Sequence, residues 1–244
     1  MARINHKWKK FMAVGCSHGY WADPTALEAV LKFKKAWKPD MAIHLGDYMD
    51  ETPWRAGAGD VDNLHNLNLD IEMGLDFLTR FEPNLLFNGN HDIRVWEALD
   101  KGDAIRRAKA EDVIQSIHRI LPKHTEFVES YNIMSPSVRT IGDTQFLHGV
   151  MYSENAVRDH AAHFGKCVFA HLHKVAIAPA NRLDSPSGYC VGYLGDINKF
   201  SYAVRRRAIS QWSQGFAWGE YSDKECIVYL NERNREGEWH LPNV

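Results

Sequence analysis

The sequence LLFNGNHD, at residues 85–92, is the stretch on which the fold prediction rests. Its three apolar residues predict a short buried strand, and Gly89 between two asparagines allows the backbone to turn sharply directly after that strand. The turn leaves the amide of Asn90 and the imidazole of His91 side by side at the strand end. Taken alone, this pattern is equally typical of an ordinary strand-to-helix turn, because Asn-Gly and Asn-His-Asp are common turn sequences.

The same arrangement, a short apolar run followed by polar side chains, recurs at four other places in the chain. These are Gly15-Cys16-Ser17-His18, His44-Leu45-Gly46-Asp47-Tyr48-Met49-Asp50, Phe146-Leu147-His148-Gly149 and Ala170-His171-Leu172-His173. A buried histidine taken singly is more often a hydrogen-bonded core residue than a ligand. The concentration of histidines at strand ends nevertheless indicates a metal site.

The ordered set of Gly-Asp-x-x-Asp, Gly-Asn-His-Asp, a histidine before glycine, and His-x-His resembles the calcineurin-like metallophosphoesterases. The resemblance extends from Gly15 to His173. It implies an α/β fold, a four-layer αββα sandwich with two mixed β-sheets, in which loops at strand ends hold metal ions. Strands that alternate with helices early in the chain and a strand-rich later part are compatible with that architecture.

The resemblance implies two divalent metal ions that share one carboxylate ligand, which would be Asp47. The remaining ligands would be Cys16, His18 and His173 for the first ion, and Asn90, His148 and His171 for the second. Mn²⁺, Zn²⁺ and Fe²⁺ are the candidate ions, because a thiolate favours softer metals than Mg²⁺.

Cys16 departs from the family, which has aspartate at this position in an Asp-x-His motif. Three alternatives stay open. Cys16 binds the first ion as a thiolate, or it lies nearby as a small neutral side chain, or the first site is empty.

The resemblance assigns catalytic roles to His91 and Asp50. His91 would donate a proton to the leaving-group oxygen or stabilise charge there, and Asp50 would orient its ring. A metal-activated hydroxide would attack the phosphorus atom in line. In protein phosphatases an arginine follows this aspartate, whereas this chain has Glu51, which argues against phosphate recognition of the protein-phosphatase type.

The substrate is predicted from the later part of the chain. Arg205, Arg206 and Arg207 form a basic stretch that could bind phosphates, although an amphipathic surface segment explains it slightly better. Residues 188–220 faintly resemble metallophosphoesterases of tailed-phage genomes, which favours DNA, RNA or nucleotides as substrates. We therefore expect a phosphodiesterase or nuclease. The alternatives are a small-molecule phosphomonoesterase and a non-catalytic binding scaffold with a degraded first metal site.

Length and composition bound these expectations. The 244 residues, of which 45% are hydrophobic, suffice for one domain over 1–244, with a helical insertion at about 93–122. The net charge of −2 does not indicate a general polyanion binder. Four widely separated cysteines predict reduced thiols in a cytoplasm, the host's if the chain is phage-encoded. No apolar run predicts a membrane span or a signal peptide, and nothing predicts the oligomeric state.

The helical insertion contains a second helix with an apolar side. We expect its buried face to consist of Ile105, Ala108, Ile114, Ile117 and Leu121. The insertion would either overhang the metal site as a small cap or expose a basic face to solvent.

Overall fold

The computed structural model describes residues 7–59, 66–200 and 210–242, and within them the chain forms eleven strands and five α-helices. The strands are β1 (Lys9–Val14), β2 (Met41–His44), β3 (Leu85–Phe87), β4 (Glu126–Val128), β5 (Arg139–Ile141), β6 (Thr144–Leu147), β7 (Cys167–Phe169), β8 (Val175–Pro179), β9 (Ser187–Val191), β10 (Gly215–Tyr221) and β11 (Cys226–Glu232). The helices are α1 (Pro24–Trp37), α2 (Leu67–Phe81), α3 (Ile93–Lys101), α4 (Ala104–Ile120) and α5 (Ala156–Phe164).

The strands form two mixed sheets, which confirms the predicted α/β fold. The first sheet has the order β11-β10-β1-β2-β3-β4, and its last four strands are parallel. The second has the order β5-β6-β7-β9-β8, and its three central strands are parallel. Because parallel strands end at the same edge of a sheet, the loops after β1, β2 and β3 lie together, as do those after β6 and β7.

Apolar side chains from the facing sides of the two sheets form the central core. Phe11 on β1 meets Phe146 on β6 edge-to-face, with ring centroids 5.5 Å apart. On the outer face of the first sheet, α1 and α2 pack against residues such as Met12 and Phe216. On the outer face of the second, α5 packs through Val157. The order of layers is therefore helices, sheet, sheet, helix, as the family resemblance implies.

Helix α1 shows how local sequence sets an element boundary. The side chain of Asp23 accepts a hydrogen bond of 2.8 Å from the backbone N–H of Thr25, and Pro24 occupies the first helical position. The helix ends after Trp37, where Lys38 adopts a left-handed conformation with φ of 52°. A capping aspartate followed by proline therefore indicates the start of this helix in the sequence itself.

The insertion between β3 and β4 consists of α3 and α4, and the predicted buried face of α4 was wrong in its first half. Ile105 is 83% exposed, and the buried residues are Ala110, Val113 and Ile117. These pack with α2, α3 and Leu86 of β3, so the insertion extends the outer helical layer. The first turn of α4 lies beyond the surface on which the rest of the helix packs, so the side chain of Ile105 in that turn is exposed.

All four cysteines are buried and free of disulfides. No helix among the described residues combines the length and the hydropathy that a membrane span requires.

Replacement of Phe146 by alanine tests the contact between the sheets. Because Phe146 is fully buried, Phe146→Ala should lower the free energy of unfolding by about 3–5 kcal/mol. Denaturant unfolding followed by circular dichroism measures the loss. The control Leu183→Ala changes a fully exposed side chain and should alter stability by no more than about 0.5 kcal/mol. Equal stability of the two variants would contradict this description of the core.

Candidate metal centre

The candidate metal centre lies where the loops after β1, β2, β3, β6 and β7 meet. Backbone hydrogen bonds join these loops to one another. The N–H of Cys16 donates to the carbonyl of Gly46, and that of His18 to the carbonyl of Asp47, each at 2.9 Å. Between the loops of the second sheet, the N–H of Ala170 donates to the carbonyl of His148 at 2.9 Å. The positions of the donor side chains therefore follow from the ends of five strands.

The first group of donor side chains comprises Cys16, His18, Asp47 and His173, whose ligand atoms all lie within 4.8 Å of one another. The Nε2 atoms of His18 and His173 are 2.9 Å apart. The Sγ atom of Cys16 lies 3.9 Å from Oδ2 of Asp47. These are the four residues that the resemblance implies for the first ion.

The second group comprises Asp47, His148 and His171, with Asn90 beside them. Nε2 of His148 lies 3.2 Å from Oδ2 of Asp47. Oδ1 of Asn90 lies 3.1 Å from Nε2 of His148 and 2.8 Å from Nδ1 of His171. Asp47 thus belongs to both groups, which is the position that a bridging carboxylate requires.

The protonation states of His171, His173 and Asp47 suit cation binding. Burial and the charge of His148 lower the pKa of His171 to about 3, and burial and His18 lower the pKa of His173 well below its usual range. Both imidazoles are therefore neutral near pH 7 and offer lone pairs. Burial alone would raise the pKa of the Asp47 carboxyl, but the charges of His148 and His91 outweigh it and hold that pKa well below its usual range.

In two of the histidines, His18 and His148, the ring nitrogen that faces away from the donor group has a hydrogen-bond partner of its own. Nδ1 of His18 lies 3.0 Å from Oδ2 of Asp50, and Nδ1 of His148 lies 2.7 Å from the carbonyl oxygen of Leu45. A proton held at Nδ1 by these acceptors makes Nε2 the atom that each ring would offer to a cation. Burial lowers the pKa of His148, but the charge of Asp47 outweighs it and raises that pKa, so a cation would have to displace a proton from Nε2 of this ring. The donor set, its charge and these tautomers fit a pair of divalent cations.

Cys16 lies with its sulfur inside the first group. Burial and the charge of Asp47 raise the pKa of its thiol well above the usual range. A bound cation would instead lower the pKa of the thiol, because a thiol that coordinates a metal ion loses its proton to solvent. The backbone N–H of His171 already donates to Sγ at 3.2 Å, an interaction that favours the thiolate.

His91 and Asp50 lie side by side next to the first group. Nδ1 of His91 lies 2.8 Å from the backbone oxygen of Asp50 and 3.2 Å from its Oδ2. Burial lowers the pKa of His91, but the charges of Asp50 and Asp47 outweigh it and raise that pKa to about 8. The same Asp50 carboxylate also contacts His18, so one side chain orients two imidazoles.

Five of the seven candidate ligands adopt left-handed backbone conformations. Their φ angles lie between 53° and 66°, and the residues are Cys16, His18, Asp47, His171 and His173. Residues other than glycine rarely adopt this region, and such outliers concentrate at functional sites. The sharp turns explain how the first and third residues of His171-Leu172-His173 reach different groups.

Asp92 is a residue to which the motif analysis assigned no role. Its buried carboxylate accepts backbone hydrogen bonds from Asp47 at 2.6 Å, Gly89 at 2.8 Å and Met49 at 3.0 Å. Asp70 on α2 acts similarly and accepts from the N–H groups of Tyr20, Asp50 and Glu51. The position of Asp92 directly after the Asn90-His91 motif could have indicated this role in the sequence. Nothing in the sequence distinguishes Asp70 from other polar residues of a helix.

Two other predicted features have different outcomes. Arg205, Arg206 and Arg207 lie outside the described residues, so their role in substrate binding stays a prediction.

Glu51 is fully buried, and among the described residues neither of its carboxylate oxygens has a hydrogen-bond partner. Burial and the charge of Asp70 raise the pKa of Glu51 well above its usual range. Glu51 therefore offers no charge of the kind that an arginine would present to phosphate.

Comparison with known proteins places the chain in a family. The model of the calcineurin-like phosphoesterases matches residues 9–187, and the chain belongs to this family. The family is metal-dependent, in agreement with the buried cluster of histidine, aspartate and cysteine side chains. No curated protein sequence matches this chain significantly.

Several solved structures are similar to this chain at low sequence identity, with TM-scores below 0.5. A single mutant of Vps29 from Entamoeba histolytica has a TM-score of 0.48 and 10% identity, over 93% of this chain and 94% of that one. A metallophosphoesterase from Sphaerobacter thermophilus has a TM-score of 0.47 and 14% identity, over 92% and 88%. An archaeal phosphodiesterase has a TM-score of 0.45 and 11% identity, over 91% and 99%.

Gly89 allows the close approach of three loops, and Gly89→Ala tests it. A Cβ atom there would lie 2.2 Å from Oδ1 of Asp47 and 2.5 Å from Cε1 of His148, so both groups must shift. We expect weaker binding of Mn²⁺ or Zn²⁺, measured by isothermal titration calorimetry, with helix and strand content unchanged. The control Gly57→Ala places its Cβ in open space and should leave metal binding unchanged. Equal metal affinity of Gly89→Ala and the parent would contradict this geometry.

Proposed function

We propose that this chain is a metal-dependent phosphodiesterase or nuclease that acts on nucleic acid or nucleotides at a centre with two divalent ions. The observation that carries the proposal is that Asp47 belongs to two adjacent groups of donor side chains. His91 lies directly beside them. A pair of cations with one carboxylate between them is suited to binding the oxygens of a phosphate ester and its attacking water.

The residues assigned to hold the ions are those that converge in the structure. Cys16, His18, Asp47 and His173 would hold the first ion, and Asp47, Asn90, His148 and His171 the second. When bound, the ions would supply charge for the phosphate oxygens and lower the pKa of a water molecule. The protein supplies the fixed spacing of these donors through the hydrogen bonds between its loops.

His91 is assigned to the leaving group. Its Nδ1 contacts the backbone and side-chain oxygens of Asp50, so the proton on Nδ1 stays with the protein. Nε2 is then the nitrogen that can donate a proton to the leaving oxygen. Asp50 fixes the orientation of the ring and stabilises its protonated form.

The choice of a phosphodiester rests on two features of this chain. The position that carries arginine in protein phosphatases is the buried Glu51, so no guanidinium is available from this position to bind a phosphomonoester dianion. The basic residues Arg205, Arg206 and Arg207 follow in the sequence and would meet the charges of a polynucleotide.

Two single substitutions separate catalysis from metal binding. His91→Ala should retain both ions and lose most of its turnover of a chromogenic phosphodiester, by about 10²–10⁴-fold, because it removes a proton donor without removing a ligand. Asp47→Ala should lose metal as well as activity. Metal content by atomic emission and steady-state rates with Mn²⁺ provide the measurements. Full activity of His91→Ala, or of metal-stripped parent, would overturn the mechanism. Absence of hydrolysis by the loaded parent would favour a binding scaffold.

A triple substitution tests the polynucleotide assignment. Replacement of Arg205, Arg206 and Arg207 by alanine should weaken binding of single-stranded DNA and reduce its salt dependence, with little change in hydrolysis of a small diester. The matched control removes three exposed arginines from α4, namely Arg106, Arg107 and Arg119. Fluorescence anisotropy at several salt concentrations measures both effects. Identical affinity and salt slope in the two triple variants would remove the support for a nucleic-acid substrate.

A further inference from the structure

A cavity beside the candidate metal centre has no role in the proposed function. The surface reaches the centre at Asn90 and His171, which are half-buried, whereas aromatic rings cover His173, which is only 6% exposed. Tyr193 stacks on His173 with ring centroids 5.2 Å apart, and Trp212 meets the same imidazole edge-to-face at 4.4 Å. Both rings also line a surface cavity of about 500 Å³. This volume is typical of a small-molecule site, and one layer of aromatic rings separates the cavity from His173.

Trp212 gives the cavity a flat apolar wall. Its indole is half-buried, and its contacts with His173, Tyr193 and Phe200 are all edge-to-face, so no ring among the described residues lies parallel to it. Phe200 in turn packs edge-to-face against His18 at 5.3 Å, which ties this cluster of rings to the metal centre. A planar heterocycle that enters the cavity can therefore stack on the indole, as bases do on aromatic side chains of nucleic-acid-binding proteins.

The remaining wall of the cavity is polar and has unused hydrogen-bonding capacity. Oγ of Ser213 accepts a hydrogen bond of 2.8 Å from the backbone N–H of Val175, and its own proton has no acceptor among the described residues. Oδ1 of Asp196 accepts from the backbone and the side chain of Asn198, each at 3.0 Å, whereas its Oδ2 has no partner in the described part of the chain. The edge of a nucleobase carries both donors and acceptors, so it matches this pair of groups.

The charge of the cavity favours a neutral ligand over a phosphate. Arg233 lies in its wall, but Nη1 of this guanidinium donates to Oδ2 of Asp23 at 2.7 Å. The other ionised side chains of the wall are Asp196, Glu232 and Arg235. Three carboxylates therefore accompany two guanidinium groups, and the cavity has no excess of positive charge with which to bind an anion.

We propose that this cavity binds the base of a nucleotide substrate, with the base stacked on Trp212 and its edge bonded to Ser213 and Asp196. Since one aromatic layer separates the cavity from His173, the phosphate ester of the same nucleotide extends towards the metal centre. No covalent bond forms or breaks in the cavity, which contributes affinity and orientation. The inference rests on the proposed function for the position of the phosphate, whereas binding of the base requires neither metal nor hydrolysis.

Binding measurements on metal-stripped parent test the cavity separately from the metal centre. Thymidine carries a base without a phosphate, and deoxyribose 5-phosphate carries a phosphate without a base. Saturation-transfer NMR should show binding of thymidine and none of the sugar phosphate. Irradiation with 5-iodo-2′-deoxyuridine should cross-link peptides that contain Tyr193 or Trp212, as identified by mass spectrometry. Absence of thymidine binding, equal binding of the two probes, or a cross-link confined to other parts of the chain would overturn the inference.

Substitution of Trp212 tests the stacking wall. Trp212→Leu should weaken thymidine binding by about 5–150-fold, the range for the loss of one stacked aromatic side chain, and Trp212→Phe should restore part of that loss. The matched control Trp8→Leu removes another partly exposed tryptophan, at the end of β1 remote from the metal centre, and should match the parent. Equal affinity of Trp212→Leu and the parent would contradict the assignment. If Trp212→Leu fails to fold, the NMR and cross-linking results on the parent decide the question.

Two chromogenic diesters connect the cavity to turnover. Thymidine 5′-(p-nitrophenyl phosphate) and methyl p-nitrophenyl phosphate have the same leaving group, but only the first carries a base. With Mn²⁺ bound, the parent should have a lower KM for the nucleotide than for the methyl ester, and the ratio of the two KM values should approach one in Trp212→Leu. Equal KM values in the parent would overturn the placement of the base beside the metal centre.

The outcomes distinguish this inference from the proposed function. Hydrolysis of methyl p-nitrophenyl phosphate by a parent that does not bind thymidine would support the metal-dependent mechanism and reject the base-binding cavity. Thymidine binding that depends on Trp212, in a metal-loaded parent that hydrolyses neither diester, would support the cavity and reject the proposed function.

Discussion

The carboxylate of Asp92 is the constraint on which the candidate centre depends. It is fully buried, and a polar side chain in such a position is costly unless hydrogen-bond partners surround it. Three backbone N–H groups do so, two from the loop after β2 and one from the loop after β3. The same bonds fix Asp47, whose Oδ1 in turn accepts from the N–H of His91 at 2.8 Å. The shared donor and the candidate catalytic histidine are therefore held by one buried side chain that belongs to neither donor group.

Backbone strain is a second property of the centre. Left-handed conformations at five of the candidate ligands each cost free energy, of the order of 1–3 kcal/mol where the strain is marked. The surrounding structure offsets this cost through hydrogen bonds between the loops, such as that from His18 to Asp47. The tight turns point side chains from three separate loops towards two adjacent groups. Bound cations would further offset the cost of this strain, because they bind the folded protein and have no comparable site in the unfolded chain.

Most of the secondary structure followed from local patterns. The capping Asp23 and the short apolar runs before each motif occur where the structure has the corresponding boundaries. The buried face of α4 could not be predicted from the local pattern, because apolar residues such as Ile105 extend beyond the surface on which the helix packs. Periodicity shows which side of a helix can be buried, but the length of the contact depends on its neighbours.

The sequence by itself determined the family, the fold class and the seven candidate ligands, because each motif stands directly after a strand and keeps its order along the chain. Only the tertiary structure decided how those ligands divide between a buried group and a half-exposed one. It also decided that Asp70 and Asp92 bind the loops together and that Tyr193, Phe200 and Trp212 cover His173 and His18. These contacts join residues far apart in the chain, so they depend on the packing of two sheets and have no local signature in the sequence.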